Sequence, residues 1–513
     1  MAAETIAALL AHNAAAHGAR DAIVDHHARL DHAALDLASA ARAAWLVGQG
    51  AGRHHRIGLL MENSTEWVVN ACAVMRLGAV LVPLSTLLRP AELAEQLAIA
   101  GVRHLVAAPG FRGRDYRSEI AGLDRVSLPS LHNVWWGGEL GNGASGDAAL
   151  ARAMEARVTT ADDLAVIFTS GSSAAPKGVI HTQGAAIRAI AAGLTDRCIY
   201  GETRLFLPMP LFWIGGFGSG LISALVAGAT LLTEATSDPA ATLAFLAREQ
   251  ATLFRGWPDQ AARIAAHPAF AASGLALGPG SLDAIMPPAQ RAAPGRRANV
   301  FGMTETFGPY CGYPLDRELP AGKDSSCGRA YAGVHLRIVD PDNGRTLPAG
   351  ETGRIQIGGT HILRAICGRE REAVFTADGW YDSGDLGRID ADGFLFFAGR
   401  ADDMIKISGA SVYPGEVERA LAAIPGVIGA HVLALGGKGG AQIGAAVIAD
   451  RTVLPDVASL ANAARARLSA YKLPRRWLMA GSADAFPHTA TGKIDRQALR
   501  ALLASTGTDH PAR

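Results

Sequence analysis

Residues 164–178 read LAVIFTSGSSAAPKG, and this stretch decides how the chain around it is read. Leu164–Phe168 is a short, unbroken apolar run behind Asp162 and Asp163, the pattern of a buried strand. The run empties at Thr169 into a loop of clustered hydroxyls with a glycine, a proline and a lysine. Thr169, Ser170, Ser172 and Ser173 offer hydroxyls to phosphate oxygens, and Gly171 lets backbone N–H groups fold into an anion-binding concavity. Lys177 adds a mobile positive charge. The loop differs from the Walker pattern, whose lysine is followed by Ser or Thr. Polar Ser/Gly loops are also common as plain surface turns, so this segment alone supports either reading.

Upstream, from Glu4 to about Ala107, helical periodicity alternates with short apolar runs. Glu66–Met75 reads as a helix, and GAVLVPL at Gly78–Leu84 reads as the strand that follows it. That alternation predicts parallel strands with crossover helices, an α/β fold. Leu131–Asp147, rich in Gly, Asn and Trp, reads as a surface loop. Beyond Arg329 the texture turns to β. Val334–Asp340 and Gly353–Gly358 read as strands joined through Asp342-Asn343-Gly344, and Trp380–Phe397 adds short β segments. From about Asp402 a separate α+β unit is expected, with helices over Val412–Ala423 and Pro455–Ala470. The expected organisation is a large domain over 1–400, with a β-barrel-like subdomain at about 325–399, and a smaller domain over 401–513.

A chain of 513 residues is too long for one core, which agrees with that division. Lys+Arg 48 against Asp+Glu 47 leaves a net charge of +1, with no footprint for nucleic acid. Cys72, Cys198, Cys311, Cys327 and Cys367 have neither zinc nor redox spacing, so free thiols in a reducing compartment are expected. The N-terminal residues lack a basic start and carry Glu4, which argues against a secretory signal. The apolar run Gly220–Leu232 is too short to span a bilayer. A cytoplasmic protein without an integral membrane segment is the expectation. Oligomeric state is not legible. The histidines at 26, 27, 32, 54, 55 and 181 are poorly spaced for a shared metal, since adjacent side chains point apart.

Four further segments carry chemistry, in this order along the chain: FGMTE at Phe301–Glu305, GWYDSGDLGRID at Gly379–Asp390, GRADDMIKISGASVYPGEVE at Gly399–Glu418, and FPHTATGKIDRQALR at Phe486–Arg500. With the loop at 169–178 they resemble, in order, the motifs of the adenylate-forming superfamily, which includes acyl-CoA synthetases, luciferases and peptide-synthetase adenylation domains. The resemblance implies that Thr169, Ser170, Gly171, Ser172, Ser173 and Lys177 hold phosphates. Phe301 and Gly302 would lie at the adenine, Thr304 at the α-phosphate, and Glu305 on Mg²⁺. An aromatic face suits a purine and a carboxylate suits a hard cation. Asp385 and Arg400 would bind the ribose, and Lys493 would be the catalytic lysine. Asp402 would be the hinge of a mobile C-terminal domain, with Lys406 and Gly409 on the face used for the second half-reaction.

The departures are specific. Ala174 stands where the family usually has glycine, Phe301 where Tyr is commoner, and Ser383 for Thr. Trp213, in MPLFWIGG, stands where many members have a histidine that gates the acyl pocket. Gly215, Gly216, Gly218 and Gly220 follow it; they leave room for an acyl chain or simply allow close backbone packing. Gly278–Pro288 is the nearest candidate for an adenine loop. The resemblance implies ATP-dependent activation of a carboxylic acid to acyl-AMP, with Mg²⁺ and pyrophosphate release, then transfer to coenzyme A. The alternatives are an enzyme that loads a carrier protein, a luciferase-like oxygenase, and a non-catalytic nucleotide binder.

Overall fold

The computed structural model describes residues 4–141, 147–169, 176–236, 238–403, 405–407, 410–412, 414–437, 440–450, 452–453, 456–468, 472–489 and 494–509. Contacts divide the chain into two compact units, Met1–His335 with Ile357–Tyr381, and Leu336–Gln356 with Asp382–Arg513. The strands over 336–356 and 382–400, placed by sequence in the large domain, group here with the second unit.

The first unit is built on two sheets. The larger has seven strands in the order 365–366, 177–182, 163–169, 80–83, 56–60, 104–107, 133–136. Its central strands are parallel, and the expected crossovers are present: Thr65–Arg76 links 56–60 to 80–83, and Pro90–Ala100 links 80–83 to 104–107. Thr65–Arg76 forms because Ser64 caps it, its hydroxyl accepting from Trp67 N, and because every residue in it but Glu66 is buried. Val80–Pro83 is buried throughout, as a strand covered on both faces must be.

One expectation fails. Asn133–Trp136 lies within the segment read as a loop, yet it is a strand, paired in parallel with His104–Ala107. The reason is tertiary: the Trp135 ring stacks on His104 at 4.8 Å and meets Trp45 edge-on at 5.5 Å. The neighbouring glycines, which suggested a loop, end the strand instead.

The second sheet of this unit has the order 253–254, 204–206, 230–232, 21–24, 29–31, parallel except for the last pair. A three-stranded antiparallel sheet, 301–303, 308–312 and 329–330, completes it.

Most of a four-stranded sheet, ordered 334–339, 353–359, 381–389, 395–400, belongs to the second unit. Asp340 Oδ1 accepts from the backbone N–H of Asp342 and Asn343, and Gly344 takes φ +72°, which makes the expected turn. Further on, a sheet of 427–437, 440–449, 476–480 and 508–509 packs with helices Pro414–Ala422, Val457–Arg465 and Arg496–Thr506. Val432, Ile443, Leu460 and Trp477 are all essentially buried at its core. No helix among the described residues is long and apolar enough to cross a membrane.

Candidate active site

In the first unit, the strands 163–169 and 177–182 form an antiparallel pair whose register sets Thr169 opposite Lys177. The two residues therefore flank the mouth of the hydroxyl-rich loop, both partly exposed. Ser170, Gly171, Ser172, Ser173 and Ala174 lie outside the described residues.

Four residues beyond Lys177 on the same strand stands His181, fully buried. Its Nε2 lies 2.7 Å from the carbonyl oxygen of Thr304. Burial, opposed only by that hydrogen bond, lowers its pKa from the usual 6.5 to about 4, so the ring is neutral near pH 7.

Phe301–Met303 pairs with Gly308–Gly312, and a tight turn over Thr304–Thr306 joins them. The strands come so close that a Cβ on Gly302 would lie 2.4 Å from Gly308 O, which only glycine tolerates. Phe307 closes the turn at φ +56°, a left-handed conformation unusual for a bulky residue and costing about 1–3 kcal/mol. Packing fixes it there: its ring meets His181 at 5.0 Å and Phe217 at 5.6 Å.

Glu305 is buried, 7% exposed, at the centre of this turn. The Tyr381 hydroxyl donates to its Oε1 at 3.0 Å, and its backbone carbonyl accepts from Leu363 N at 2.7 Å. Phe301, partly exposed, meets Tyr310 edge-on at 5.6 Å. The structure thus places Thr169 and Lys177 on one strand pair and Phe301, Gly302, Thr304 and Glu305 on a strand and turn of a second sheet, linked by the His181–Thr304 hydrogen bond. It also supplies two partners that the sequence did not single out for this site, His181 and Tyr381.

Trp213 begins a helix that runs to Ala227, with π-helical turns over Phe217–Ile222. Such turns are frequent at functional sites. Ser223 Oγ donates to Gly218 O at 3.0 Å and accepts from Arg197 Nη1 at 3.1 Å, pinning the widened turn. The Trp213 ring lies edge-on to Phe212 at 5.3 Å and to Trp257 at 6.3 Å.

The loop leading to Trp213 is held by Asn63. Its Nδ2 donates to Met209 O at 3.0 Å and to Thr233 Oγ1 at 3.1 Å, and its Oδ1 accepts from Leu211 N at 2.8 Å. Asn63 is a further residue the sequence did not flag. Of the two readings of the glycines after Trp213, close packing is the one found at Gly216 and Gly218. A Cβ on Gly216 would lie 2.2 Å from Pro210 O, and one on Gly218 would lie 2.9 Å from Phe307 O.

In the second unit, Asp385 and Arg400 face each other across a strand pair. Arg400 Nη1 donates to Asp385 Oδ1 at 2.8 Å and to Ser383 O at 3.0 Å. Ser383 Oγ donates to Ile355 O at 2.7 Å and accepts from Asp385 N at 3.0 Å, so the Ser in the Thr position anchors the strand. Gly384 takes φ +70° between them. Asp402 lies in the turn Ala401–Asp403, and Lys406 in the strand Ile405–Ile407 opposite Ser411. Gly409 and Lys493 lie outside the described residues.

Gly278–Pro288 runs beside strand 253–254, where Leu282 N donates to Phe254 O and Ser281 Oγ accepts from Phe254 N.

Comparison with known proteins agrees with this geometry. A family model described as "AMP-binding enzyme" matches residues 10–366. The "3-[(3aS,4S,7aS)-7a-methyl-1,5-dioxo-octahydro-1H-inden-4-yl]propanoyl:CoA ligase" of Mycobacterium tuberculosis (strain ATCC 25618 / H37Rv) is 31% identical over 495 residues, covering 90% of this chain and 91% of that protein. The indoleacetate–CoA ligase of Aromatoleum aromaticum (strain DSM 19018 / LMG 30748 / EbN1) is 29% identical, covering 90% of this chain and 91% of that one. In fold, the chain superposes on the anthranilate CoA ligase AuaEII, solved with anthranoyl-AMP, at a TM-score of 0.80 and 24% identity, covering 98% of this chain and 97% of that one. The matched model spans both the hydroxyl-rich loop and the Thr304–Glu305 turn, and the chain belongs to the AMP-binding enzyme family.

Proposed function

We propose that this enzyme ligates a ring-bearing carboxylic acid to coenzyme A through an acyl-adenylate. The observation that carries the adenylation step is the buried Thr304–Glu305 turn tied to the strand of Lys177. An apolar, aromatic-lined site with few polar groups suits a bulky acid. Trp213, Trp257 and Phe212 supply such surfaces beside the helix at 214–227. Relatives named for indoleacetate, for a fused-ring propanoate and for a feruloyl group point the same way.

The first step joins two anions, an acid carboxylate and the α-phosphate of ATP, so the chain must cancel charge and fix an in-line approach. Thr169, Ser170, Gly171, Ser172, Ser173 and Lys177 cradle the phosphates that leave as pyrophosphate. Phe301 stacks on the adenine, with Gly302 allowing the close strand approach beside it. Thr304 donates to the α-phosphate, and Asp385 with Arg400 holds the ribose. Lys493 bridges carboxylate and α-phosphate, stabilising charge in the transition state.

One buried carboxylate beside substrate phosphates is the usual protein share of a Mg²⁺ site, so Glu305, oriented by Tyr381, fits that ion. The ion, when bound, neutralises phosphate charge. In the second step the coenzyme A thiol attacks the acyl carbonyl and AMP departs. Rotation about Asp402 brings the face of Lys406 and Gly409 into use for this step, and Trp213 with Gly215 shapes the acyl side. The use of ATP and coenzyme A fits a cytoplasmic setting.

The test is a panel of acids with ATP, with and without coenzyme A. Indoleacetate, ferulate and fused-ring propanoates should release pyrophosphate, and should yield AMP and thioester only when coenzyme A is added. Preference for acetate or hexadecanoate would remove the ring-bearing reading. Adenylate without thioester would point to a carrier-protein acceptor.

A further inference from the structure

We propose that His181 is a positioning residue for adenylate formation: a single hydrogen bond from its ring ties the Thr304–Glu305 turn to the strand that begins at Lys177. The inference rests on the assignment of Thr304 and Glu305 to the nucleotide made above.

The geometry fixes the chemistry of the ring. A carbonyl oxygen only accepts, so Nε2 carries the proton and donates to Thr304 O at 2.7 Å. That oxygen also accepts from Phe307 N at 3.0 Å, so both its lone pairs are engaged, one within the turn and one from outside it. The neutral ring leaves Nδ1 unprotonated, and Nδ1 has no hydrogen-bond partner among the described residues. The whole polar cost of burying this imidazole is therefore offset through one contact, the contact to the turn. For packing alone, an apolar side chain would serve at lower cost.

The turn needs an external tie. Phe307 sits at φ +56°, and strain of that kind persists only where the surroundings over-determine it. Leu363 and Tyr381 hold Glu305 from one side. His181 holds Thr304 from the strand that carries Lys177. With the link through Leu363 and strand 365–366, this bond helps set the spacing between two groups that must both address the same triphosphate, and a displacement of about 1 Å costs about 10²-fold in rate.

The test compares His181→Gln with His181→Met. The two side chains are nearly isosteric, but only Gln keeps an N–H at the Nε2 position. Adenylate formation is followed from ATP and acid, and thioester formation from supplied acyl-adenylate and coenzyme A. His181→Met should slow adenylate formation by about 10²-fold. It should leave the second half-reaction near wild type, and His181→Gln should restore most of the first.

Equal loss in both half-reactions, a Gln variant as slow as Met, or a Met variant at full speed each overturns the proposal. Glu305→Ala separates this failure from failure of the underlying assignment, because intact adenylation in that variant would remove the assignment itself. If His181→Met does not fold, the wild-type imidazole decides by ¹⁵N NMR, its signal identified by loss in His181→Gln. An Nε2–H resonance that shifts when Mg²⁺ and a non-hydrolysable ATP analogue bind supports the tie. An Nδ1–H tautomer, or no shift, overturns it.

Discussion

The Thr304–Glu305 turn of the first unit and the Asp385–Arg400 pair of the second are held in opposite ways. The turn is held from far along the chain, by His181 at a separation of 123 residues and by Tyr381 at 76. The pair is held within its own sheet, Arg400 reaching Asp385 across 15 residues and Ser383 reaching Ile355 across 28. Glu305 and Phe307 in the turn are buried and Phe307 is strained; in the pair Asp385 is also buried, whereas the Arg400 side chain is 47% exposed. Long-range ties make position precise and vulnerable. A local pair is more forgiving where water screens its half-exposed Arg400 end and its own strand keeps the buried Asp385 in place.

The largest test of that contrast is acidification. His32, His104 and His181, all in the first unit, are buried, and burial lowers each pKa from 6.5 to about 4. Their unfolded forms take up protons first as pH falls. The stability they hold is therefore complete above about pH 6.5 and is lost between 6.5 and 4, by up to about 3 kcal/mol each. Burial also lowers the pKa of His431 in the second unit. Calorimetry at pH 7.5 and pH 5 should show the transition of the first unit falling much further than that of the second. Parallel shifts would break the comparison.

Lys493→Ala comes next, and it tests whether the second unit contributes chemistry as well as binding. Adenylate formation should fall by about 10²–10³-fold, while thioester formation from supplied acyl-adenylate survives. Equal losses would point to another lysine.

Gly216→Ala should then lower stability by about 1–3 kcal/mol, because the new Cβ meets the Pro210 carbonyl at 2.2 Å. Its backbone is already helical, at φ −72° and ψ −45°, so the cost is one of space alone. The melting temperature reports it, and activity should fall alike for small and bulky acids. A loss confined to bulky acids would return this glycine to the pocket.

Tyr381→Phe removes only the donor to Glu305 and should slow adenylate formation by about 10-fold, with the melting temperature little changed. The smallest effect belongs to Arg400→Gln. An ion pair with one half-exposed partner contributes about 0.5–1 kcal/mol, so KM for ATP should rise only a few-fold. A loss as large as that of Lys493→Ala would show that the pair is as critical as the buried turn.

The sequence by itself determined the motif order and the α/β class with its crossover helices, and it marked the residues proposed to react. Phosphate and purine chemistry demands particular residue types at short spacing, and Thr169, Lys177, Phe301, Thr304 and Glu305 stand within two such runs. Tertiary structure alone decided what holds those groups. In the sequence His181 stood among histidines poorly spaced for a metal, Tyr381 lay without a role inside the motif at Gly379–Asp390, and Asn63 belonged to no motif. Asn63 reaches Met209 across 146 residues, a contact that no local pattern encodes. Asn133–Trp136 became a strand because Trp135 found His104 to stack on. Local propensity and motif spacing are properties of neighbours in sequence. Hydrogen bonds to buried carbonyls, and the room left beside a glycine, are set by neighbours in space, which exist only once the chain has folded.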